Sequence, residues 1–562
     1  MPRFLQRLAA CLAGLLTAAP IAAHQPDWAS VDSMVAQYER DDGPGISVAI
    51  SIDGEPVYQR WAGLADIEQG VAIDADTRFQ IASISKQFTA FAIMVLIDEG
   101  KLSLDQDIRT VIPELAVRQT PIKVGHLLEH TGGLREVNTL LELTGLTNSS
   151  PVVPAQSLDL IYRQQDVNFP AGTRQEYSNT GYQLLAEIVA RVSGMPFAEF
   201  IQKRVFDPAA MTRSLVRTDP FEVIHHLAES YRLVGNGFAN AQSLAASYGS
   251  TGIVSTPSDL LRWADALESG RLASPRVARM MEARAFLPDG RRAIATNGQE
   301  YRSYRGVDTW SHGGTEGGFR SFLLRIPGER VTIAVMGNRA DFKKAAFAFD
   351  LADIVLADSL EPAPVRPFVP EKGAALDRYV GDYELYAGVV FSVRRSGDEL
   401  TFATFGKDGG TPVEQVGKGI FLLNPVAELR MEFHDFANGK ASEMRWQISE
   451  DGYLVAPRVE MEPLPETIFR PGAVVGRFYS QELLQVATLS DEREGLSLRM
   501  GSGASSVLEQ YQPDIFRPLS GGEAQRVRLI RDATGTVQKI VLSAPLARDI
   551  AYRRIEPVGG DH

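Results

Sequence analysis

Cysteine is nearly absent: the 562-residue chain has one, Cys11. It lies in an N-terminal stretch that begins Met-Pro-Arg-Phe-Leu-Gln-Arg, runs apolar from Leu8 to about Ala19 and closes on Pro20-Ile21-Ala22-Ala23, the pattern of a cleaved secretory signal. Removal of residues 1–23 leaves a mature chain without disulfides, thiol nucleophile or thiolate metal ligands. Cys11 follows Leu-Ala-Ala as a lipoprotein attachment site does, but the apolar run comes after it, which argues against lipidation. Long apolar runs are also lacking. The N-terminal one is too short to cross a bilayer, and no later stretch reaches about 18 uninterrupted apolar residues. No stable membrane insertion is expected after cleavage, and the protein is expected in the periplasm or secreted. Positive charge is in deficit: a net charge of −13 excludes a phosphate-backbone partner, which needs a basic face. No Gly-x-Ser-x-Gly elbow and no Gly-rich loop ending in Lys-Ser/Thr occurs.

What is present is an ordinary globular composition, 44% hydrophobic and 23% charged, in a chain too long for one core. Residues 45–61 alternate around Asp53-Gly54 as a β-hairpin does. Apolar residues at helical spacing (Phe88, Phe91, Ile93, Met94, Leu96, Ile97) predict a helix over Ser83–Glu99 with Gly100 as its stop. A second helix is predicted over Thr180–Ser193 with Gly194 behind it, and a third after Thr256, capped by Ser258. Strands follow at Phe319–Ile326 and Val331–Met336, then a helical stretch over Phe342–Leu356.

Four prolines between Glu361 and Pro370 mark a linker, 361–370, and a domain boundary. Beyond it short strands and glycine turns predict all-β structure, and the region reads as duplicated: Tyr379-Val-Gly-Asp-Tyr383 is echoed by Val475-Gly-Arg-Phe-Tyr479. Two copies are too few for a solenoid, so two small β-barrels are expected, 371–465 and 472–562, with Pro463–Pro471 between them. Their aromatics (Phe391, Phe402, Trp446, Phe478) read as barrel core.

Three elements carry chemistry. Ser83-Ile-Ser-Lys86 places a hydroxyl and an ammonium on one helical face, about 5 to 6 Å apart at Cβ, where they can share a proton beside unpaired helix N–H groups. Tyr177-Ser-Asn179 offers a phenol and an amide on the loop before the second helix. Ser311-His312-Gly313-Gly314 stands directly before a strand, where small residues let a substrate backbone approach. Each element taken singly has an ordinary reading: a capping serine with a solvated lysine, a packed tyrosine with a capping asparagine (Asn179), a structural histidine.

Together and in this order they resemble the penicillin-recognising serine hydrolases: class C β-lactamases, D-alanyl-D-alanine peptidases, D-aminopeptidases and related esterases. The flanks Phe79–Thr89, His126–Leu134, Tyr177–Tyr182 and Gly252–Thr256 are similar as well. The resemblance covers about residues 30–358. It implies an α+β fold within 24–360, an antiparallel sheet flanked by helices plus an all-helical subdomain, followed by two lipocalin-like β-barrels. It implies that Ser83 is acylated, that Lys86 and Tyr177 manage its proton, that Asn179 holds a substrate amide, and that the N–H groups of Ser83 and Thr315 form the oxyanion hole. A phenolate at neutral pH needs about 4 kcal/mol of help from neighbouring cations, so the general base stays shared between Lys86 and Tyr177.

The third element departs from the β-lactamase form, which has a lysine and a hydroxyl residue where this chain has His312 and Gly313. Those two groups grip a substrate carboxylate, so carboxylate-ended substrates are disfavoured. The His-x-Gly form and the trailing barrels resemble D-aminopeptidases, in which a loop from the last domain is thought to reach the active site. The expected function is an exported serine hydrolase of D-amino-acid peptides or amides, with β-lactamase or short-chain esterase as alternatives within the fold. No cofactor is called for, and the partner is a small-molecule or peptide substrate. Two readings of other classes compete: a non-catalytic peptidoglycan- or peptide-binding protein, and a zinc peptidase through the inverted pattern His126-x-x-Glu129-His130.

Overall fold

A computed structural model describes residues 26–555 except 118–120, 148, 289, 291, 294, 363–367, 387, 405–409, 425–428, 448–452, 461–473, 494 and 520–525. The signal-like segment with Cys11, the middle of the 361–370 linker and the Pro463–Pro471 segment lie outside the described residues. Among the described residues no helix is long and apolar enough to cross a membrane.

The N-terminal half is a seven-stranded antiparallel sheet between two helical layers. Its strands are β1 (Ile46–Ile52), β2 (Glu55–Ala62), β3 (Ala295–Thr296), β4 (Gln299–Tyr304), β5 (Val307–Glu316), β6 (Phe319–Ile326) and β7 (Val331–Gly337), in the order β3-β4-β5-β6-β7-β1-β2. Early and late strands meet where Ile46 pairs with Gly337. The β1–β2 turn is the two-residue type with positive φ at both positions, Asp53 at 55° and Gly54 at 81°, which suits the twist of a hairpin. Alternation along β1 predicts one wet face, yet nearly all of the strand is buried. The reason is cover on both sides. Ile46, Val48 and Ile50 pack against α1 (Trp28–Ala36) and the last helix of the half, and Ala49 faces the opposite layer.

Chain order gives the helices that matter for the site: α2 (Ser85–Asp98), α3 (Val124–Leu128), α4 (Val137–Leu143), α5 (Asn179–Ser193), α6 (Pro257–Glu268) and α7 (Lys344–Val355). The stop of α2 is as predicted. Gly100, at φ 70°, bonds to Ile97 O (3.0 Å) and Lys101 to Leu96 O (2.9 Å), which satisfies the last carbonyls. Two start signals resolve differently. Ser178, not Asn179, caps α5 through Gly181 N–H (3.1 Å), and Thr256, not Ser258, caps α6 through Asp259 N–H (3.2 Å). In α6 Pro257 already occupies the first helical position, so the cap falls one residue before it.

The C-terminal half forms two closed eight-stranded antiparallel barrels, each with neighbouring strands paired in chain order. The first runs from Gly381–Tyr386 to Tyr453–Val459, the second from Gly476–Ser480 to Ala547–Arg554. The duplication has a structural cause. In the first barrel Arg458 bonds to Val380 O (2.8 Å) and lies over the Tyr383 ring (5.1 Å). In the second Arg554 bonds to Val475 O (3.1 Å) and lies over the Phe478 ring (4.8 Å). The last strand thus latches onto the first in the same way twice, and the glycine of each repeat, Gly381 or Gly476, leaves room for the guanidinium. Phe391, Phe402 and Trp446 pack on one another in the first barrel, and Phe478 is fully buried in the second.

Candidate active site

The three sequence elements converge between the sheet and the helical subdomain. Ser83 sits in the tight turn Ala82–Ile84 that leads into α2, after a left-handed Ala82 (φ 48°). Lys86, one turn on, is wholly buried and uses its three N–H donors on Ser83 Oγ (3.2 Å), Asn179 Oδ1 (2.7 Å) and Ser250 O (2.8 Å). Its ammonium also lies over the ring of Tyr177, 4.8 Å from the centroid. Burial pushes the amine down to about 7, against the opposing charges of Glu136 and Glu316. An amine poised there exists in both forms at neutral pH and can accept the serine proton.

Tyr177 stacks on His130 (4.6 Å between ring centres) and lies 6.3 Å from His312. Burial raises the pKa of its phenol, and the hydrogen bond with Ser83 opposes this only in part. The phenol therefore stays protonated across the neutral range. Asn179 is engaged at both ends. Its Oδ1 accepts from Lys86, while its Nδ2 (2.8 Å) and backbone N–H (2.7 Å) donate to the two oxygens of Glu136. Glu136 is 4% exposed, and Thr180 N–H also points at it (3.5 Å).

The third element lies on strand β5 itself, not before it, and the glycines hid this. β4 pairs with β5 only as far as Glu300 with Ser311, so the stretch from His312 to Glu316 is hydrogen-bonded to a strand on one side alone, that of β6. A Cβ on Gly314 would overlap Ile81 O and Ser321 Oγ, so glycine is what lets β5 lie against the turn that carries Ser83. His312 is 3% exposed. Its Nδ1 meets Gly313 O (2.7 Å), a group that only accepts, so Nδ1 carries the proton and Nε2 is a bare acceptor. Burial, then Lys86, push the imidazole down to about 3, and it is neutral.

Three residues of the site escaped sequence reasoning. Glu136 lies just beyond the recognised block His126–Leu134. Glu316 ends β5. Lys344, at the start of α7, inserts its ammonium where Gly313 has no side chain and donates to Gly314 O and to Thr315 Oγ1 (2.5 Å). The third element itself keeps His312 and Gly313, and an amine and a hydroxyl reach it from Lys344 and Thr315 instead; burial pushes the Lys344 amine down to about 7. The zinc pattern does not assemble. Helix α3 ends at Leu128 and His130 takes φ 57°, so the two imidazoles leave the common helical face. His126 Nδ1 accepts from Lys123 N–H (3.2 Å), and His130 Nδ1 from Ser178 N–H (3.0 Å).

The second barrel reaches this site. At the turn between its last two strands, Leu546 O accepts from Glu136 N–H (2.8 Å) and Asn168 Nδ2 (2.7 Å), and Pro545 O from Thr139 Oγ1 (2.8 Å). Arg548 donates to Glu176 (2.7 Å), the neighbour of Tyr177. Arg135 is 1% exposed and donates to Arg548 O (2.8 Å) and Asp549 O (3.1 Å), while pairing with Glu482.

A sheet between helical layers, with a serine, a buried lysine, a tyrosine and an asparagine gathered at its inner edge, defines a serine hydrolase. The beta-lactamase family pattern matches residues 31–357, and the chain belongs to that family. It is 25% identical to the D-aminopeptidase of Brucella anthropi over 536 residues, 92% of this chain and 96% of that protein. It is 27% identical to the D-aminopeptidase of Gluconobacter oxydans over 344 residues, 61% of this chain and 63% of that one. Among solved structures, the octameric penicillin-binding protein homologue from Pyrococcus abyssi superposes with a TM-score of 0.55 at 24% identity, covering 76% of this chain and all of that one.

Proposed function

We propose that the protein is an exported hydrolase that cleaves amide bonds after an N-terminal D-amino acid through an acyl-enzyme on Ser83. The observation that carries this is Lys86, which is poised near neutrality and bonded at once to Ser83 Oγ and Asn179 Oδ1. The neutral amine of Lys86 takes the proton as Ser83 Oγ attacks the carbonyl carbon. The N–H groups of Ser83 and Thr315 receive the oxyanion, where one such donor contributes about 3 kcal/mol. The C–N bond then breaks, and the leaving nitrogen is protonated from Lys86 by way of the Tyr177 phenol. Water attacks the ester in the reverse sense and releases the D-amino acid. Asn179 acts by holding Lys86 against Glu136. The match to the D-aminopeptidase of Brucella anthropi over 96% of its length supports the D-residue, and the N-terminal signal-like segment supports export to the periplasm or beyond.

A second reading rests on Lys344. Its ammonium beside the Thr315 hydroxyl suits a carboxylate on the leaving group, as in a penicillin or a terminal D-alanine. Intact-mass measurement of wild type and Ser83→Ala, each with a fluorophosphonate and with a penicillin, separates these outcomes, run beside the release of p-nitroaniline from D- and L-alanine p-nitroanilide. A phosphonate adduct on wild type alone with turnover of the D-anilide is expected. A penicilloyl adduct would favour the second reading, and no adduct with either reagent would overturn the nucleophile.

A further inference from the structure

Strand β5 ends in Glu316, which by the two-residue alternation of a strand shares the face of His312 and Gly314, the face turned to Ser83. Its carboxylate is enclosed and only half satisfied. Oε1 accepts from Ser243 Oγ (3.1 Å), whereas Oε2 is buried with no partner. Arg217 is close enough for its charge to act on Glu316 but directs Nε to Asp219 O (3.2 Å) and Nη2 to Pro220 O, and no ion pair forms between them. A buried acceptor without a donor is destabilising, and more so when it is charged. Burial accordingly pushes the carboxyl up to about 7, with Arg217 and Lys86 opposing.

Glu316 and Lys86 lie near enough for the charge of each to act on the other. The other carboxylate that acts on Lys86, Glu136, has each oxygen taken by Asn179. Of these two carboxylates Glu316 is therefore the one that keeps an acceptor without a donor, one residue beyond Thr315 on the strand. Its complement is a compact cation with several donors, a primary ammonium.

We propose that Glu316 binds the α-ammonium group of the residue whose carbonyl Ser83 attacks, and so makes the enzyme select substrates with a free amino terminus. This rests on the D-aminopeptidase reading above. The test compares kcat/KM for D-alanine p-nitroanilide and its N-acetyl derivative, with the rate of fluorophosphonate labelling as a charge-independent readout of Ser83. Wild type is expected to prefer the free amine. Glu316→Gln should lower kcat/KM for that substrate by about 10- to 100-fold, the scale of a hydrogen bond to a charged group, and collapse the preference. Labelling and turnover of the N-acetyl anilide should change together and by much less, through the effect of the lost charge on Lys86, and Glu316→Asp should restore part of the preference. Equal loss on both anilides and on labelling would make the residue structural and overturn the proposal, as would a preference that survives in Glu316→Gln. If wild type turns over neither anilide, the D-aminopeptidase reading fails first and this assignment falls with it.

Discussion

An ammonium cut off from water loses hydration worth several kcal/mol, and at Lys86 three hydrogen bonds and the charges of Glu136 and Glu316 return only part of it. The outcome is an amine held near neutrality, beside a phenol pushed the other way. That difference decides the sign of the pH dependence. Lys86 is active as a base when neutral, and its neutral fraction grows as pH rises through about 7. The pH–rate profile of kcat/KM should therefore climb to a plateau with its inflection near that value. Lys86→Ala should lower kcat/KM on the order of 10²- to 10⁴-fold and remove the inflection. A profile that stays flat through the neutral range and climbs only in alkali would transfer the role to Tyr177.

At the scale of elements, each barrel is closed by an arginine from its last strand, seated over a glycine of its first. A methyl group on Gly381 or Gly476 would displace Arg458 or Arg554 from the Val380 or Val475 carbonyl. Gly381→Ala and Gly476→Ala should each cost about 1–3 kcal/mol, read as a lower unfolding temperature. The same change at Gly237, where the added methyl meets open space, should leave it unmoved. The latch also explains why the repeat was visible in sequence: Val-Gly-x-Tyr/Phe is the complement of one arginine. Hairpin, helices and barrels were legible because their periods and turn residues are local. β5 was misplaced because Ser311-His312-Gly313-Gly314 has neither β-branched residues nor alternation, and the short β3 and β4 that precede it carry no strand pattern long enough to read. Ser83, Lys86, Tyr177 and Asn179 stood in recognisable words. Glu136, Glu316 and Lys344 did not, because an isolated charged residue acquires its role only from the partners that tertiary structure brings to it.

At the scale of the whole molecule the two barrels are not equivalent. The interior of the second, from Val474 through Phe478 and Ile540 to Tyr552, is continuous with the apolar core of the helical subdomain, whereas the first has a core of its own around Tyr379, Tyr383 and Phe433. Arg135 adds a polar bolt to the former junction. It is buried against Glu482 and two carbonyls of the second barrel, and the residue after it, Glu136, holds Asn179. Continuity of packing makes continuity of unfolding, so the catalytic domain and the second barrel should melt in one calorimetric transition and the first barrel in another. Arg135→Ala leaves Glu482 without its cation and should remove about 3–5 kcal/mol from the shared transition alone. Because the same residue anchors the segment that positions Glu136, the variant should also label more slowly with fluorophosphonate at temperatures well below that transition. A single transition that contains both barrels, lowered as a whole in the variant, would show instead that the three domains unfold as one unit.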